Sequence, residues 1–502
     1  MQNRGDGLTD KGTISQNSFG FNRREWILGA ASGLCVPAAL PVMKAKAATA
    51  PKGQWISTRK DAVWQDYSSK LEFGEGWHGN VMVKQDEPAQ IIDGFGACFN
   101  ELGWDALQLL PEDARGAILA DFFAPASSPA HGLGFTHCRM PIGANDFSRD
   151  WYSYNEVPGD FAMANFSIQR DHSTLIPYIK SARTFQPDLN IWASPWSPPS
   201  WMKTNGHYAQ RPDPKVNDLP AGKAVEEGQT GFITEERYFK AYALYFRKFI
   251  EAYHGQGINI DMVMPQNEFN SNQSFPSCVW KPEMLARFTG FLHDEMQPIG
   301  IDIFLGTIER GNPQLVQRFM KDEKAKSAVK GLGFQWAGRH AAPFLHYDYP
   351  ALKIYQTEQE CGDGKNDWRF ARHTWEMMKD YMRSGCSVYQ YWNMALVKDE
   401  PSSWGWKQNS LVVIDRQAGT YEFTPDYYML KHICHFVQQG AQRVNAHSWT
   451  GHENALAFVN TDGSEVMVVG NDQPEAMPIE IGIKGGIAKA VLPPNSINTI
   501  QM

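Results

Sequence analysis

Eight short apolar runs, separated by segments with helical spacing, restrict this 502-residue chain to one kind of architecture. Strands covered on both faces read as continuous apolar runs, whereas amphipathic helices repeat apolar residues every 3.6 positions. Such alternation is typical of a parallel sheet with helical crossovers, and eight such strands close a barrel. The runs are Ile91–Ala97, Gly134–Pro141, Leu189–Trp196, Ile260–Glu268, Ile301–Thr307, Gly331–Trp336, Leu352–Glu358 and Cys386–Asn393.

Three of the intervening segments carry clear helical patterns. Thr234-Glu-Glu predicts an N-terminal cap with acidic residues in the first turn, and aromatic residues follow at helical spacing up to two glycines. Glu283–Met296 and Arg369–Met382 have similar patterns. The alternation covers about 340 residues, against roughly 250 in a typical barrel, so we expect long loops after some strands.

The segments on either side of the predicted barrel differ from it. After about residue 431 the pattern becomes strand-like, with a turn at 461–464, and predicts a small β-sandwich. Residues 48–90 are too few to fold alone, and we expect them to pair with the C-terminal sheet. The predicted fold class is therefore α/β: a (β/α)8 TIM barrel at 91–430 with an attached β-sandwich at 431–502, formed by both chain ends.

Residues 1–47 have the features of a signal peptide. Arg23-Arg24 precedes a weakly apolar stretch that ends at Ala45-Lys46-Ala47, a small-x-small site for a signal peptidase. The paired arginines predict twin-arginine export, and hence a periplasmic or extracellular location. A membrane anchor is the alternative, but the segment is short for a span and is interrupted by glycine and proline.

The composition excludes several classes of function. Beyond residue 47 the chain carries 41 basic and 52 acidic side chains, so nucleic acid is not an expected partner, and no obligate protein partner is indicated. The six cysteines there are widely spaced, and folding before export favours free buried thiols, with a bridge after export as the alternative. Gly94-Phe-Gly96 lacks the third glycine of a dinucleotide site, so no nucleotide cofactor is expected.

Two weak metal patterns have simpler explanations. His432 and His435 have helical spacing, but their apolar neighbours favour packed side chains, and the chain has no H-E-x-x-H pattern. Asp363–Asp367 resembles a calcium loop, yet a lysine occupies the third ligand position and no later glutamate has the right spacing. We expect no metal and no cofactor, and an ordered loop at Asp363–Asp367.

Candidate functional residues lie at the carboxyl ends of the predicted strands, where a barrel of this kind carries its site. Glu268 ends the fourth run and Glu358 the seventh, so both carboxyls are expected at one mouth. A retaining glycosidase needs one carboxylic acid to protonate the leaving oxygen and one carboxylate to attack the anomeric carbon, about 5 to 5.5 Å apart. Other strand ends hold Arg139, Trp196, Asn267, Trp336, Trp392 and Asn393.

The two carboxyls need different environments to play these two roles. Aromatic walls and a second negative charge would raise the pKa of the acid, Glu268. Arg139 would favour the ionised form of the nucleophile, Glu358. Glu360 lies two residues further along an extended chain and is the alternative nucleophile. Asn393 has a simpler alternative role as a buried backbone cap.

Four sequence blocks together resemble glycoside hydrolase family 30, the glucosylceramidase family: 193–206 (ASPWSPPSWMKTNG), 266–268 (QNE), 357–362 (TEQECG) and 391–396 (YWNMAL). The resemblance runs from about residue 91 to the C terminus. It implies a (β/α)8 barrel with a β-sandwich and retaining hydrolysis of β-glycosides. It gives Glu268 the acid/base role and Glu358 the nucleophile role, and makes Arg139, Asp146, Trp196, Asn267 and Trp392 contacts to the sugar.

Two departures from the family pattern bear on the substrate. The usual Asn-Glu-Pro is Asn267-Glu268-Phe269 here, which keeps the acid but changes the stiffness of the loop. The His-Trp-Tyr of the mammalian lysosomal glucosylceramidase is replaced near the sixth strand end by Gln335-Trp336-Ala337, and the loss of a ring there weakens the case for a ceramide substrate but leaves it a candidate.

The sequence thus predicts a metal-independent retaining hydrolase of β-glucosides, acting on a glucosylceramide-like glycolipid or a β-1,6-glucan. A β-xylosidase or β-fucosidase of the same family is an alternative, and so is a non-catalytic carbohydrate-binding protein. A divalent-metal hydrolase on the same barrel is a third. Exo and endo action are both compatible with the residues.

Overall fold

The computed structural model describes residues 53–76, 79–450 and 452–502. The predicted signal peptide, including Arg23-Arg24, lies outside these residues. Within the described ranges, no helix combines the length and the apolar character needed to cross a bilayer.

Four strands precede the barrel and belong to a sheet that the C-terminal end of the chain completes. They are β1 (Gln54–Arg59), β2 (Ala62–Asp66), β3 (Glu72–Gly74) and β4 (Val81–Ile91). Ile91, predicted to open the first barrel strand, instead ends β4. It lies opposite Gln442 in the C-terminal sheet.

Eight parallel strands then close a barrel in chain order, and the last pairs with the first. All eight predicted strands are present, which confirms the barrel. The fourth is the shortest, because Pro265 offers no N–H to a neighbouring strand. The strands are β5 (Gly94–Cys98), β6 (His137–Pro141), β7 (Asn190–Ser194), β8 (Met262–Val263), β9 (Asp302–Ile308), β10 (Val329–Gln335), β11 (Lys353–Glu358) and β12 (Cys386–Asn393).

The helices include all three that the sequence predicts. The helix predicted to start at Thr234 is α4 (Glu236–His254), and it buries its aromatic face as expected. Its N-terminal cap is Glu235 rather than Thr234, and no side chain makes a capping hydrogen bond. The helices are α1 (Glu101–Gln108), α2 (Glu112–Phe123), α3 (Leu175–Arg183), α4 (Glu236–His254), α5 (Pro282–Met296), α6 (Gln314–Phe319), α7 (Glu323–Ala328), α8 (Ala342–Asp348), α9 (Trp368–Arg383) and α10 (Pro425–Cys434).

The segment after β12 forms a small sheet that the sequence did not predict, made of β13 (Ala395–Val397), β14 (Val412–Asp415) and β15 (Thr420–Phe423). The C-terminal strands follow α10. They are β16 (Gln442–Ser448), β17 (Ala455–Val459), β18 (Glu465–Asn471), β19 (Met477–Ile483), β20 (Gly486–Leu492) and β21 (Ser496–Gln501).

Both chain ends build one curled mixed sheet of ten strands, in the order β2-β1-β21-β18-β17-β16-β4-β19-β20-β3. β1 pairs with β21, and β4 lies between β16 and β19. The predicted pairing of the N-terminal segment with the C-terminal sheet is therefore confirmed. The sheet encloses its own apolar core, which includes Trp55, Met467 and Ile500.

Several sequence features prove to serve packing. A Cβ on Gly96 would lie 1.5 Å from the carbonyl oxygen of His137, so this glycine permits the close approach of β5 and β6. Buried His432 contacts Thr499 Oγ1 at 2.9 Å, and His435 contacts the carbonyl oxygen of Gly132. Both histidines therefore serve packing.

The Asp363–Asp367 loop is ordered by its own side chains. Asp363 accepts hydrogen bonds from Lys365 at 2.7 Å and from Arg369 at 2.8 Å. Asp367 caps α9 through the backbone N–H of Phe370. The carboxylates of this loop are thus occupied by lysine, arginine and a helix terminus.

Candidate active site

The predicted site residues meet at the barrel mouth, the end formed by the carboxyl ends of the strands. Arg139 lies in β6, Glu358 ends β11 and Trp392 lies in β12. The others occupy loops that start at this end: Asp146 after β6, Trp196 after β7, Asn267 and Glu268 after β8, and Trp336 directly after β10.

Arg139 is fully buried and connects three of these strand ends. Its guanidinium donates to Glu358 Oε2 at 2.5 Å, to Asn267 Oδ1 at 2.6 Å and to Ser194 Oγ at 3.0 Å. The guanidinium carbon also lies 4.3 Å from the centre of the Trp196 ring, within the range of a cation–π interaction. An arginine held in this way is a fixed positive charge beneath the mouth.

A hydrogen-bonded chain connects the strand ends that carry the two carboxyls. Gln335 Nε2 donates to Glu358 Oε2 at 2.9 Å and to Asn267 Oδ1 at 2.7 Å. Thr307 Oγ1 donates to Asn267 Oδ1 at 3.0 Å and accepts from the backbone N–H of Glu268, also at 3.0 Å. Side chains from β9 and β10 therefore hold the backbone of Glu268 and the carboxylate of Glu358 in fixed positions relative to each other.

Glu268 is held in an unusual backbone conformation. Its φ of 46° lies in the left-handed region, which side chains other than glycine enter at a cost of about 1–3 kcal/mol. The hydrogen bond of its N–H to Thr307 helps to maintain this conformation. The chain bends there, so the Glu268 side chain is presented at the mouth several residues beyond the end of β8.

The two carboxyls have different electrostatic surroundings. Burial raises the pKa of Glu268; Ser271, Arg310, Arg139 and Trp336 oppose the rise. Burial also raises the pKa of Glu358, against the charge of Arg139, and the negative charges of Asp146 and Glu268 add to the rise. Of the two carboxyls only Glu358 has a guanidinium at 2.5 Å, and this positive charge favours its ionised form.

Asp146 adds a third carboxyl to this group. Burial, together with the charge of Glu268, raises its pKa to about 7, and Trp392 acts in the opposite direction. Its Oδ1 atom is buried and has no hydrogen-bond partner within the described residues. A buried acceptor of this kind is suited to a ligand hydroxyl.

Aromatic rings form the walls of the site. Trp196 and Trp392 are fully buried with ring centres 5.3 Å apart. Trp336 is only partly buried and donates its indole N–H to Gln335 Oε1 at 3.1 Å. Ring faces beside a few fixed polar groups are the usual construction of a small-molecule site.

Glu360 does not join the site. Its side chain is exposed and contacts His373 Nε2 at 2.9 Å, and this contact is the main reason that its pKa is lowered. Asn393 is buried, where it accepts from Asn100 and donates to Gln408. This position fits the alternative structural role for Asn393.

The sequence reasoning missed four polar residues of the site. Ser194, Thr307 and Gln335 lie at strand ends that had been identified, but their inward orientation could not be read from the apolar pattern. Glu309 follows β9 directly and is fully buried. Burial and the charge of Glu268 raise its pKa to about 8, and both its carboxyl oxygens lack a hydrogen-bond partner within the described part of the chain. Its position beyond a strand end, like that of Glu268, was the available signal.

A parallel barrel with buried carboxyls, an arginine and tryptophan walls at its mouth defines a glycoside-hydrolase type of protein. Models of known families agree with this class. The description "Glycosyl hydrolase family 30 TIM-barrel domain" matches residues 92–437, and "Glycosyl hydrolase family 30 beta sandwich domain" matches residues 440–500. The chain belongs to glycosyl hydrolase family 30.

Relatives of two kinds resemble the chain. A Caenorhabditis elegans protein named as a glucosylceramidase is 27% identical over 80% of this chain and 78% of its own length. An endo-1,6-beta-D-glucanase of Neurospora crassa is 25% identical over 79% of this chain and 82% of its own length. The chain is thus a glycosidase whose distant relatives bear two different activities in their names.

Solved structures share the fold. SrfJ from Salmonella typhimurium matches with a TM-score of 0.78 and 23% identity, over 90% of this chain and 99% of that one. The endo-beta1,6-glucanase BT3312 matches with a TM-score of 0.76 and 22% identity over the same shares of the two chains. Similarity at this level of identity shows the common architecture of barrel and sheet.

Proposed function

We propose that the chain is an exported, metal-independent β-glycosidase that cleaves β-glucosides with retention of configuration. Glu358 attacks the anomeric carbon while Glu268 transfers its proton to the departing oxygen, which gives a glycosyl-enzyme ester and a free alcohol. Glu268 then takes a proton from water, the resulting hydroxide displaces Glu358 from the anomeric carbon, and both carboxyls return to their starting states.

The observation that carries this proposal is the unequal surrounding of the two carboxyls. Glu358 has the buried Arg139 at 2.5 Å and Gln335 at 2.9 Å, both of which stabilise a carboxylate. Glu268 is buried and has no ion pair within the described residues, so it retains a proton more readily. A pair in which one member stays ionised and the other protonated is what double displacement requires.

The remaining predicted residues hold the sugar in this proposal. Asp146, with its unpaired buried oxygen, accepts a hydrogen bond from a sugar hydroxyl, and Asn267 donates one through its amide. Trp196, Trp336 and Trp392 supply the apolar walls against which a pyranose ring packs. Arg139 donates to Glu358 Oε2 and keeps the carboxylate in place.

The substrate that we propose is a β-glucoside, either a glucosylceramide-like glycolipid or a β-1,6-linked glucan. The names of the relatives support both. Ala337 in place of a ring beside Trp336 favours the glucan, because an acyl chain would lose an apolar surface there. A β-xylosidase or β-fucosidase of the same family is the second candidate.

Aryl β-glycosides provide the first test, since their hydrolysis does not depend on the natural aglycone. We expect the wild type to hydrolyse the aryl β-glucoside fastest, and Glu358→Gln to lose turnover on every substrate. Glu268→Ala should lose most activity on poor leaving groups, and azide should partly restore activity on activated ones. Equal losses of Glu268→Ala on all leaving groups would contradict the acid role.

Two rival functions have distinct outcomes in the same assays. A non-catalytic carbohydrate-binding protein would bind the aryl glycosides and leave them intact. A divalent-metal hydrolase would lose its activity on exhaustive chelation, whereas we expect full activity to remain.

Export is tested with the full-length chain in a bacterial host that has a twin-arginine pathway. Activity should be found in the periplasmic or secreted fraction, and replacement of Arg23-Arg24 by Lys-Lys should retain it in the cytoplasm. An unchanged distribution would contradict this route.

A further inference from the structure

The loop between β13 and β14 forms a compact turn at the barrel mouth that carries two tryptophans. The N–H of Ser402 donates to the carbonyl oxygen of Trp406 at 2.7 Å and closes the turn. We call residues 402–406 the strap. Its rings, Trp404 and Trp406, contact loops that follow different barrel strands.

Trp404 connects the strap to the loops after β6 and β7. Its indole N–H donates to the carbonyl oxygen of Asn145 at 3.0 Å, and its ring centre lies 4.2 Å from that of Trp151. Trp151 in turn stacks on Tyr208 at 5.8 Å. Trp404 is only 5% exposed, so this junction is packed.

Trp406 connects the strap to the loop after β8. Its ring centre lies 4.8 Å from that of Phe275, and both rings are partly buried. The strap follows β12, which stands four positions away from β8 in a closed barrel of eight strands. These two strands are on opposite sides of the barrel, so the Trp406–Phe275 contact joins opposite rims of the mouth.

The contacts of the strap fall on one side of the mouth. The candidate sugar contacts Arg139, Trp196 and Trp392 come from β6, the loop after β7 and β12, which are strands on the strap side. The loops after β9 and β10 have no ring contact with the strap among the described residues. On that side Trp336 and Arg310 are partly exposed next to Glu268, the proposed proton donor to the leaving group.

We propose that the strap closes the sugar pocket behind the cleaved residue, so that the enzyme removes single terminal β-linked sugars and does not cut within a chain. This inference rests on the proposed function. The leaving group departs toward β9 and β10, and a second sugar on the opposite side would collide with the joined rings of Trp406 and Phe275. The substrate class is therefore any β-glycoside whose first residue is unsubstituted.

Aryl β-glycosides of one and of two sugars test this directly. The panel contains the aryl β-glucoside and the aryl β-1,3-, β-1,4- and β-1,6-linked disaccharides, and mass spectrometry identifies the first sugar released. We expect direct release of an intact disaccharide to be at least about 100-fold slower, in kcat/KM, than release of glucose from the aryl glucoside. Intact disaccharide released from any of them at a comparable rate would overturn the proposal.

Removing the two rings that close the strap should create room for a second sugar behind the cleaved residue. We expect Phe275→Ala combined with Trp406→Ala to release intact disaccharides, and the ratio of disaccharide release to glucose release, each in kcat/KM, to rise at least about tenfold over wild type. Trp449→Ala, which removes a 71% exposed ring beyond β16, is the matched control and should behave as wild type. A folded double variant, judged by circular dichroism, that still releases no disaccharide would contradict the role of these rings. If wild type fails even on the aryl monosaccharides, the proposed function fails instead.

Discussion

Arg139→Ala is the perturbation whose outcome follows most directly from the structure. It removes the only cation that contacts Glu358 in the described residues and leaves a buried carboxylate. Loss of an adjacent opposite charge raises the pKa of a carboxyl by about 1–3 units. At 1.36 kcal/mol per unit, the ionised form becomes less stable by about 1.4–4 kcal/mol.

The pH dependence of kcat/KM on an aryl β-glucoside measures this change. The acid limb of the profile reports the ionisation of the nucleophile in the free enzyme. Because the pKa of Glu358 rises, the carboxylate forms only at higher pH, and the acid limb should move upward by about 1–3 pH units. At a fixed pH on the acid limb, activity should fall about tenfold for each pH unit by which the limb moves.

Two variants separate this electrostatic effect from a loss of folding. Arg139→Lys keeps a positive charge, so its acid limb should move less than that of Arg139→Ala. Arg170→Ala breaks a different ion pair, in which Nε of the half-buried Arg170 lies 3.0 Å from the fully buried Glu101. It should lower the free energy of unfolding by about 1–3 kcal/mol and leave the acid limb unchanged. A folded Arg139→Ala enzyme with an unchanged acid limb would refute the reasoning.

Three further predictions concern other residues. Glu360→Gln should keep kcat/KM within about tenfold of wild type, because Glu360 is exposed, and a loss as large as that of Glu358→Gln would make it the nucleophile after all. Burial lowers the pKa of His432 to about 3, so the unfolded chain binds the extra proton between pH 6.5 and 3, and stability falls as the pH falls through that range. Urea unfolding measures this: between pH 6.5 and 5 the free energy of unfolding should fall by about 2 kcal/mol less in His432→Gln than in wild type. An equal fall in both proteins would contradict the prediction. Glu309→Gln replaces a carboxyl that stays protonated up to about pH 8, so both limbs of the kcat/KM profile below that pH should keep their wild-type positions, and a movement of either limb by a pH unit or more would contradict a neutral Glu309.

The barrel was predictable because its signal is local. A strand buried on both faces must be apolar along its whole length, so the eight runs and their carboxyl ends can be read without knowing what they contact. The strand ends then indicated Arg139, Glu268 and Glu358. The choice between Glu358 and Glu360 required the structure. In an extended strand residues two apart share a face, so the sequence allows either side chain to point to the site, but β11 ends at Glu358 and Glu360 lies beyond it.

The parts that were not predicted depend on contacts between distant segments. Thr307 and Gln335 are ordinary polar residues in sequence, and only closure of the barrel brings them to Asn267. The left-handed backbone of Glu268 is imposed by its neighbours, because the residue itself disfavours it. The strap depends on the contact of Trp406 with Phe275 across the mouth, and no periodicity records such a contact.

The central claim is that Glu358 forms a covalent bond with the sugar while Glu268 supplies the proton. A 2-deoxy-2-fluoro β-glucoside with a good leaving group slows both steps and allows the ester to accumulate, and digestion followed by mass spectrometry locates it. The account predicts one fluoroglucosyl group per chain, on Glu358, and no label in Glu358→Gln. A label on another residue, or steady hydrolysis by Glu358→Gln, would contradict it.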